Sequence, residues 1–159
     1  TNVATFQTPT LGPIGLVTKN RILFLQELLE TKRLDISAVD GTIPIVKAYA
    51  GMQGDLLEAI AHTKVDGLVI EALGAGNLPP QALAALEKLL VQKIPVVLVS
   101  RCFNGIAEPV YDYEGGGKEL EKMGIIFCNS INSQKARLKL LIAVNYGLSG
   151  EELISFIQN

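Results

Sequence analysis

GLVIEALGAGNLPPQALAALEKLLVQKIPVVLV, residues 67–99, is the stretch that decides the fold. It opens on Gly67-Leu68-Val69-Ile70-Glu71 and closes on Ile94-Pro95-Val96-Val97-Leu98-Val99. Both are short, continuous apolar runs, the pattern of strands covered on both faces rather than one. Between them Leu83, Leu86 and Leu90 fall on one helical stripe. Pro79-Pro80 stands at the helix entry, where a missing N–H costs nothing. Strand, helix and strand in this order make a crossover between parallel strands.

The same texture extends outward in both directions. Ile43-Pro44-Ile45-Val46-Lys47 and Gly124-Ile125-Ile126-Phe127-Cys128 read as two further strands. Met52, Leu56 and Ile60 recur four apart on a helical window, and a shorter helix covers Lys118 to Met123. A longer one, Ala136 to Tyr146, carries Leu138, Leu141, Ile142 and Asn145 on one side. Ser149 and Glu152 have the spacing of a capping box, with Leu148 and Leu153 as the hydrophobic staple around it. The expectation is an α/β fold: a three-layer α/β/α sandwich with a four-stranded parallel sheet and about five helices. Before it, Ile14-Gly15-Leu16-Val17 and Arg21-Ile22-Leu23-Phe24 flank Thr18-Lys19-Asn20, which predicts a short β-hairpin tail.

Composition narrows the function. The chain has 159 residues, 48% hydrophobic and 19% charged, enough for one domain with a sizeable core. A formal charge of -2 supplies no basic field for nucleic acid or an anionic membrane. No apolar run approaches the roughly 20 residues of a bilayer span. Two cysteines are too few for a disulfide scaffold and favour a reducing, cytoplasmic compartment. A single histidine, His62, removes most metal-site and histidine-based catalytic designs. The chain begins at Thr1 rather than Met, the mark expected of a processed product or a piece of something longer.

In an open parallel sheet, ligands meet the loops that leave the carboxyl ends of the strands. Four loops qualify: residues 48–52, 73–77, 100–105 and 129–132. The second is the most pointed. Gly74 and Gly76 permit close backbone approach, and Asn77 can either cap the following helix or reach a polar ligand. Neither Gly74-x-Gly76 nor Gly115-Gly116-Gly117-Lys118 completes a nucleotide-binding pattern, and the triple glycine reads as a flexible loop. His62 suits a helix end, Cys128 a buried strand terminus, and Cys102 lacks a histidine to make it a nucleophile. Glu71 and Arg101, each at a strand end, could pair or bind ligand, and a buried ion pair is the commoner arrangement. On these residues alone there is no complete catalytic set.

Taken in order, however, the loops resemble a known family. Val69-Ile70-Glu71-Ala72-Leu73-Gly74-Ala75-Gly76-Asn77-Leu78-Pro79 is similar to the glycine–asparagine loop of bacterial L-asparaginases and glutaminase–asparaginases. Ile94-Pro95-Val96-Val97, Ser100-Arg101 with Gly105, Tyr113-Glu114-Gly115-Gly116, and Asn132-Ser133-Gln134-Lys135-Ala136-Arg137 continue the resemblance. Upstream, Phe6-Gln7-Thr8-Pro9 and Leu11-Gly12-Pro13-Ile14-Gly15 resemble the closing hairpin of that family's amino-terminal domain. The resemblance implies that residues 1–34 are the tail of an amino-terminal domain plus linker, and residues 35–159 the carboxy-terminal α/β domain. It implies hydrolysis of asparagine, with glutamine as the second candidate substrate, no cofactor or metal, and assembly as a dimer or tetramer. The family's catalytic threonines lie in a Thr-Gly-Gly-Thr segment and a Thr-Asp pair, neither of which occurs here. No catalytic residue is therefore expected in this chain. Asn77, Tyr113 and Glu114 match positions that contact substrate, lent to a neighbouring subunit's site. The alternative is a stand-alone small-ligand-binding or regulatory domain using the same loops.

Overall fold

The computed structural model describes residues 2–8, 12–27, 32–129 and 131–159. Thr1, Pro9 and Leu11, named above, and Ser130 of the 129–132 loop lie outside the described residues. The chain divides into two compact units, Thr1–Lys32 and Arg33–Asn159.

The second unit is built on four strands, β3 (Ile45–Lys47), β4 (Leu68–Ala72), β5 (Val96–Ser100) and β6 (Ile126–Phe127), all parallel and in sequential order. Two strands begin later than their apolar runs suggest. Pro44 and Pro95 have no N–H to give the ladder, so pairing starts one residue on; their carbonyls still accept from Val69 and Leu68. Helices α1 (Asp55–Ala61), α2 (Leu83–Val91) and α3 (Gly117–Met123) make the three crossovers, and α4 (Ser133–Tyr146) and α5 (Gly150–Gln158) follow. A 3-10 turn, Pro80–Ala82, leads into α2 with Pro79 before it.

Strand alternation sorts the core into two layers. Leu68, Ile70, Val96, Leu98 and Phe127 point to one face and pack with Leu57, Leu86, Leu89 and Leu120 of α1, α2 and α3. Val69, Val97, Val99 and Ile126 point to the other and pack with Leu140, Ala143, Leu153 and Ile157 of α4 and α5. Burial on both faces is why these runs are uninterruptedly apolar. The edge strand β3 is the exception, for Val46 is buried while Ile45 and Lys47 are exposed.

The helical faces differ in detail from the leucine stripes. Met52 is buried but precedes α1, Leu56 is 50% exposed, and Leu57 with Ala61 carries the core contact. On α4, Leu138 is 53% exposed, whereas Ala136, Leu140, Leu141 and Ala143 are buried. Small residues face the sheet because the helices lie close to it: a Cβ on Gly67 of the sheet layer would come within 2.9 Å of Leu140 Cδ2. Asn145 fastens the entering segment, with its Nδ2 donating to the Asp40 carbonyl and its Oδ1 accepting from the Asp40 N–H. The expected capping box on α5 is not formed. Ser149 is the N-cap, but its side chain makes no capping bond; Leu148 and Leu153 are nevertheless both buried as the staple requires.

The first unit contains the hairpin: β1 (Gly15–Val17) pairs antiparallel with β2 (Ile22–Phe24). Thr18 closes the turn, its N–H and hydroxyl both donating to the Arg21 carbonyl. Val17, Ile22 and Phe24 are exposed. A two-stranded hairpin with apolar side chains in water is marginal by itself.

The corrected α4 face gives a direct test. Leu140→Ala should cost about 2–5 kcal/mol in urea unfolding, as a cavity under a packed helix does. Leu138→Ala should stay within about 0.5 kcal/mol. Equal losses would mean that the helix is rotated from the face described here.

Candidate functional site

The carboxyl ends of β4 and β5 open into two loops that are joined along their length. Four hydrogen bonds link them: Ser100 Oγ to the Gly74 carbonyl at 2.6 Å, Glu108 N–H to the Ala75 carbonyl at 2.8 Å, Leu78 N–H to the Gly115 carbonyl at 2.9 Å, and Gly117 N–H to Asn77 Oδ1 at 3.3 Å. Within the first loop, Leu73 and Asn77 exchange N–H to carbonyl bonds, both at 2.9 Å, which closes a tight bridge. Gly76 sits at φ +111, where a Cβ would be 2.8 Å from the Phe127 ring. Only glycine allows the backbone that close to the core.

Asn77 is half-buried and does not cap the helix that follows it. Pro79 holds the N-cap position there, and Asn77 Oδ1 instead accepts from the first residue of α3. Tyr113 and Glu114 are exposed at the turn just before α3. Tyr113 lies with its ring centroid 5.7 Å from that of Tyr111, and its carbonyl accepts from Gly116 N–H. Glu114 precedes Gly115, the residue bonded to Leu78, so the 113–114 segment and Asn77 meet on the same rim.

The triple glycine is packed, not flexible. All three residues are buried, and a Cβ on Gly115 would lie 2.1 Å from the Leu78 carbonyl oxygen. On Gly116 it would meet the Tyr111 and Tyr113 carbonyls, and on Gly117 the backbone of Glu108 and Pro109. Glu119 Oε2 accepts from Gly115 N–H at 2.7 Å and locks the run into α3. Ser100, Glu108 and Glu119 thus hold the rim; nothing local in the sequence marks Ser100 and Glu108 for it, because their partners Gly74 and Ala75 are distant in the chain, whereas Glu119 bonds back to the nearby Gly115.

The expected Glu71–Arg101 pair does not form either. Glu71 pairs with Lys47 at 3.1 Å and accepts from the Ser133 hydroxyl at the start of α4. Arg101 reaches past β4 to the Ala48 carbonyl at 3.0 Å. Alternation along β4 sends Glu71 toward the α4 face, which leaves Arg101 to tie the β3 and β5 loops. His62 caps the end of α1, its N–H donating to the Glu58 carbonyl. Cys102 is exposed; Cys128 is buried, and burial pushes its thiol above the ordinary range against the opposing pull of Lys139. Among the described residues no cluster of three or more His, Cys, Asp or Glu could hold a metal ion. Among them, too, no helix is long and apolar enough to cross a membrane.

With this architecture in view, comparison with known proteins identifies the class. The sequence profile of the Glutaminase/Asparaginase C-terminal domain family matches residues 42–156, and the chain belongs to that family. It is 46% identical over 114 residues to the probable L-asparaginase of Deinococcus radiodurans, covering 70% of this chain and 33% of that protein. Over 141 residues it is 29% identical to the L-asparaginase of Bacillus licheniformis, covering 89% of this chain and 44% of that protein. The chain therefore spans less than half the length of these curated relatives. Its fold is shared with the probable cytoplasmic L-asparaginase of Campylobacter jejuni, at TM-score 0.82 and 23% identity, across 98% of this chain and 48% of that one.

Two measurements probe the rim. Gly115 is at φ +81 with no room for a side chain, so Gly115→Ala should lower stability by about 3 kcal/mol in denaturant unfolding. A thiol reagent should modify Cys102 at once in the native chain and Cys128 only on unfolding. Prompt labelling of both would contradict the packing of β6 beneath α5.

Proposed function

We propose that this chain is the carboxy-terminal domain of an L-asparaginase, the enzyme that converts asparagine and water to aspartate and ammonia. Residues 1–34 are then the tail of an amino-terminal domain and residues 35–159 the carboxy-terminal domain. The exposed apolar side chains of the hairpin support that division, since they suit a strand pair belonging to a larger sheet.

The observation that carries the reading is a rim tied together by backbone and carboxamide groups, in a member of this family, that offers polar contacts and, among the described residues, no histidine-activated nucleophile. In the reaction, a threonine hydroxyl adds to the side-chain amide carbon and an oxyanion hole holds the tetrahedral oxygen. Collapse expels ammonia, and water then hydrolyses the acyl ester to give aspartate. Among the described residues, the exposed rim thiol of Cys102 has no histidine beside it to activate it for the first step. His62 stands at the end of α1, where the crossover has returned to the amino ends of the strands, opposite the rim. Asn77, Tyr113 and Glu114 serve as substrate contacts, and the nucleophile comes from the amino-terminal domain.

Self-association as a dimer or tetramer belongs to the same proposal. Tyr49, Phe103, Ile106, Val110, Tyr111 and Tyr113 expose apolar surface on the loops of this rim, as a subunit interface would. Asparagine is the proposed substrate with glutamine second, no cofactor is needed, and the compartment is cytoplasmic. The description of the Campylobacter protein supports the last point.

The chain alone should release no ammonia from asparagine or glutamine. Fused behind the amino-terminal domain of the Bacillus licheniformis enzyme, it should yield an active asparaginase. In that fusion Asn77→Ala should lower kcat/KM by about tenfold or more. Ammonia release by the unfused chain, or a fusion indifferent to Asn77→Ala, would overturn the proposal.

A further inference from the structure

Asn77 can be read one step further, resting on the function just proposed. A carboxamide is ambivalent, with an oxygen that accepts and an NH2 that donates. The structure removes the ambiguity. The group facing Asn77 is the backbone N–H of Gly117, which can only donate, so Oδ1 must be the atom turned toward it. A flipped amide would oppose two donors and leave a buried N–H unpaired.

The partner that fixes this orientation is itself immobile. Gly115 bonds Leu78 through its carbonyl and Glu119 through its N–H, and Lys118 N–H reaches the Tyr111 carbonyl. Backbone crowding at Gly115, Gly116 and Gly117 leaves the run no space to shift. On the other side, the Leu73–Asn77 bridge holds the Asn77 main chain. The Nδ2 edge, by contrast, has no acceptor among the described residues and is not one of their buried, unpartnered atoms. It is the edge left to face outward.

We infer that Gly117 is a positioning residue that commits Asn77 to act as a hydrogen-bond donor, so that this loop takes a carboxylate oxygen and discriminates against an ammonium group. That carboxylate has two sources: the α-carboxylate of the substrate, or an acidic side chain of the adjoining protein around the pocket. The chemistry at Asn77 is the same for both.

The orientation is testable in the 159-residue chain. A scalar coupling across the hydrogen bond should connect the Gly117 amide nitrogen to the Asn77 side-chain carbonyl carbon. Asn77→Asp, which keeps an acceptor, should preserve slow hydrogen exchange at Gly117; Asn77→Ala should speed it about tenfold. The polarity is tested in the fusion enzyme. Asn77→Asp should lower kcat/KM at least as much as Asn77→Ala, by about tenfold or more, because a carboxylate replaces the donor. The deficit should shrink as pH falls, since protonation restores a donor, a recovery that a merely structural defect would not show.

Inhibition by aspartate and by β-alanine, which lacks the α-carboxylate, separates the two sources. If Asn77→Asp weakens only aspartate, the acceptor is the ligand's carboxylate; if it weakens both equally, the acceptor is protein. A missing coupling, or wild-type kcat/KM in Asn77→Asp beside an impaired Asn77→Ala, would overturn this inference and leave the substrate-contact reading standing. An Asn77→Ala fusion with wild-type kcat/KM would instead remove the substrate-contact reading itself.

Discussion

Covering both faces of a four-stranded parallel sheet is the constraint on which the second unit depends. The strands follow one another in sequential order, and crossovers between neighbouring parallel strands share one hand. Three such crossovers in a row place α1, α2 and α3 on the same face. Val69, Val97, Val99 and Ile126 would then meet water on the other face, and α4 with α5 is what covers them. At roughly 25 cal/mol per Å2 of apolar surface, that closure ranks among the larger favourable contributions to the fold.

The sequential order also shapes the rim. Open α/β sheets usually bind ligands at a crevice where the strand order reverses. There is no reversal among these four strands, so no crevice arises from topology. The rim owes its shape to loops bonded to one another, through Ser100, Glu108, Leu78 and Gly117, with glycines admitting the backbone contact. Such a surface can be rigid without being deep. It suits a domain that completes a pocket whose floor is supplied elsewhere.

Much of the fold was legible because its dominant signal is local. Uninterrupted apolar runs marked all four strands, and the hairpin turn was visible in Thr18-Lys19-Asn20. Helix faces are less legible, since their buried sides mix leucines such as Leu86 and Leu140 with alanines such as Ala85, Ala136 and Ala143, which a stripe drawn through the larger apolar residues misses. Leu56 and Leu138, apolar but exposed, misled for the same reason. At the rim, Asn77 stood out by residue type and resemblance. Its partner did not, because a hydrogen bond across forty positions leaves no local trace. Gly115-Gly116-Gly117 is illegible for a related cause: taken alone, glycines signal freedom, and only the tertiary neighbours reveal that they are there for lack of volume.

That α4 and α5 follow all four strands in chain order has a bearing on biosynthesis. A ribosome releases the crossovers first, so the nascent sheet must wait with one greasy side uncovered until α4 and α5 emerge. Chaperone demand should peak in that interval, and a premature stop removing only α5, with Leu153 and Ile157, would strand the polypeptide there.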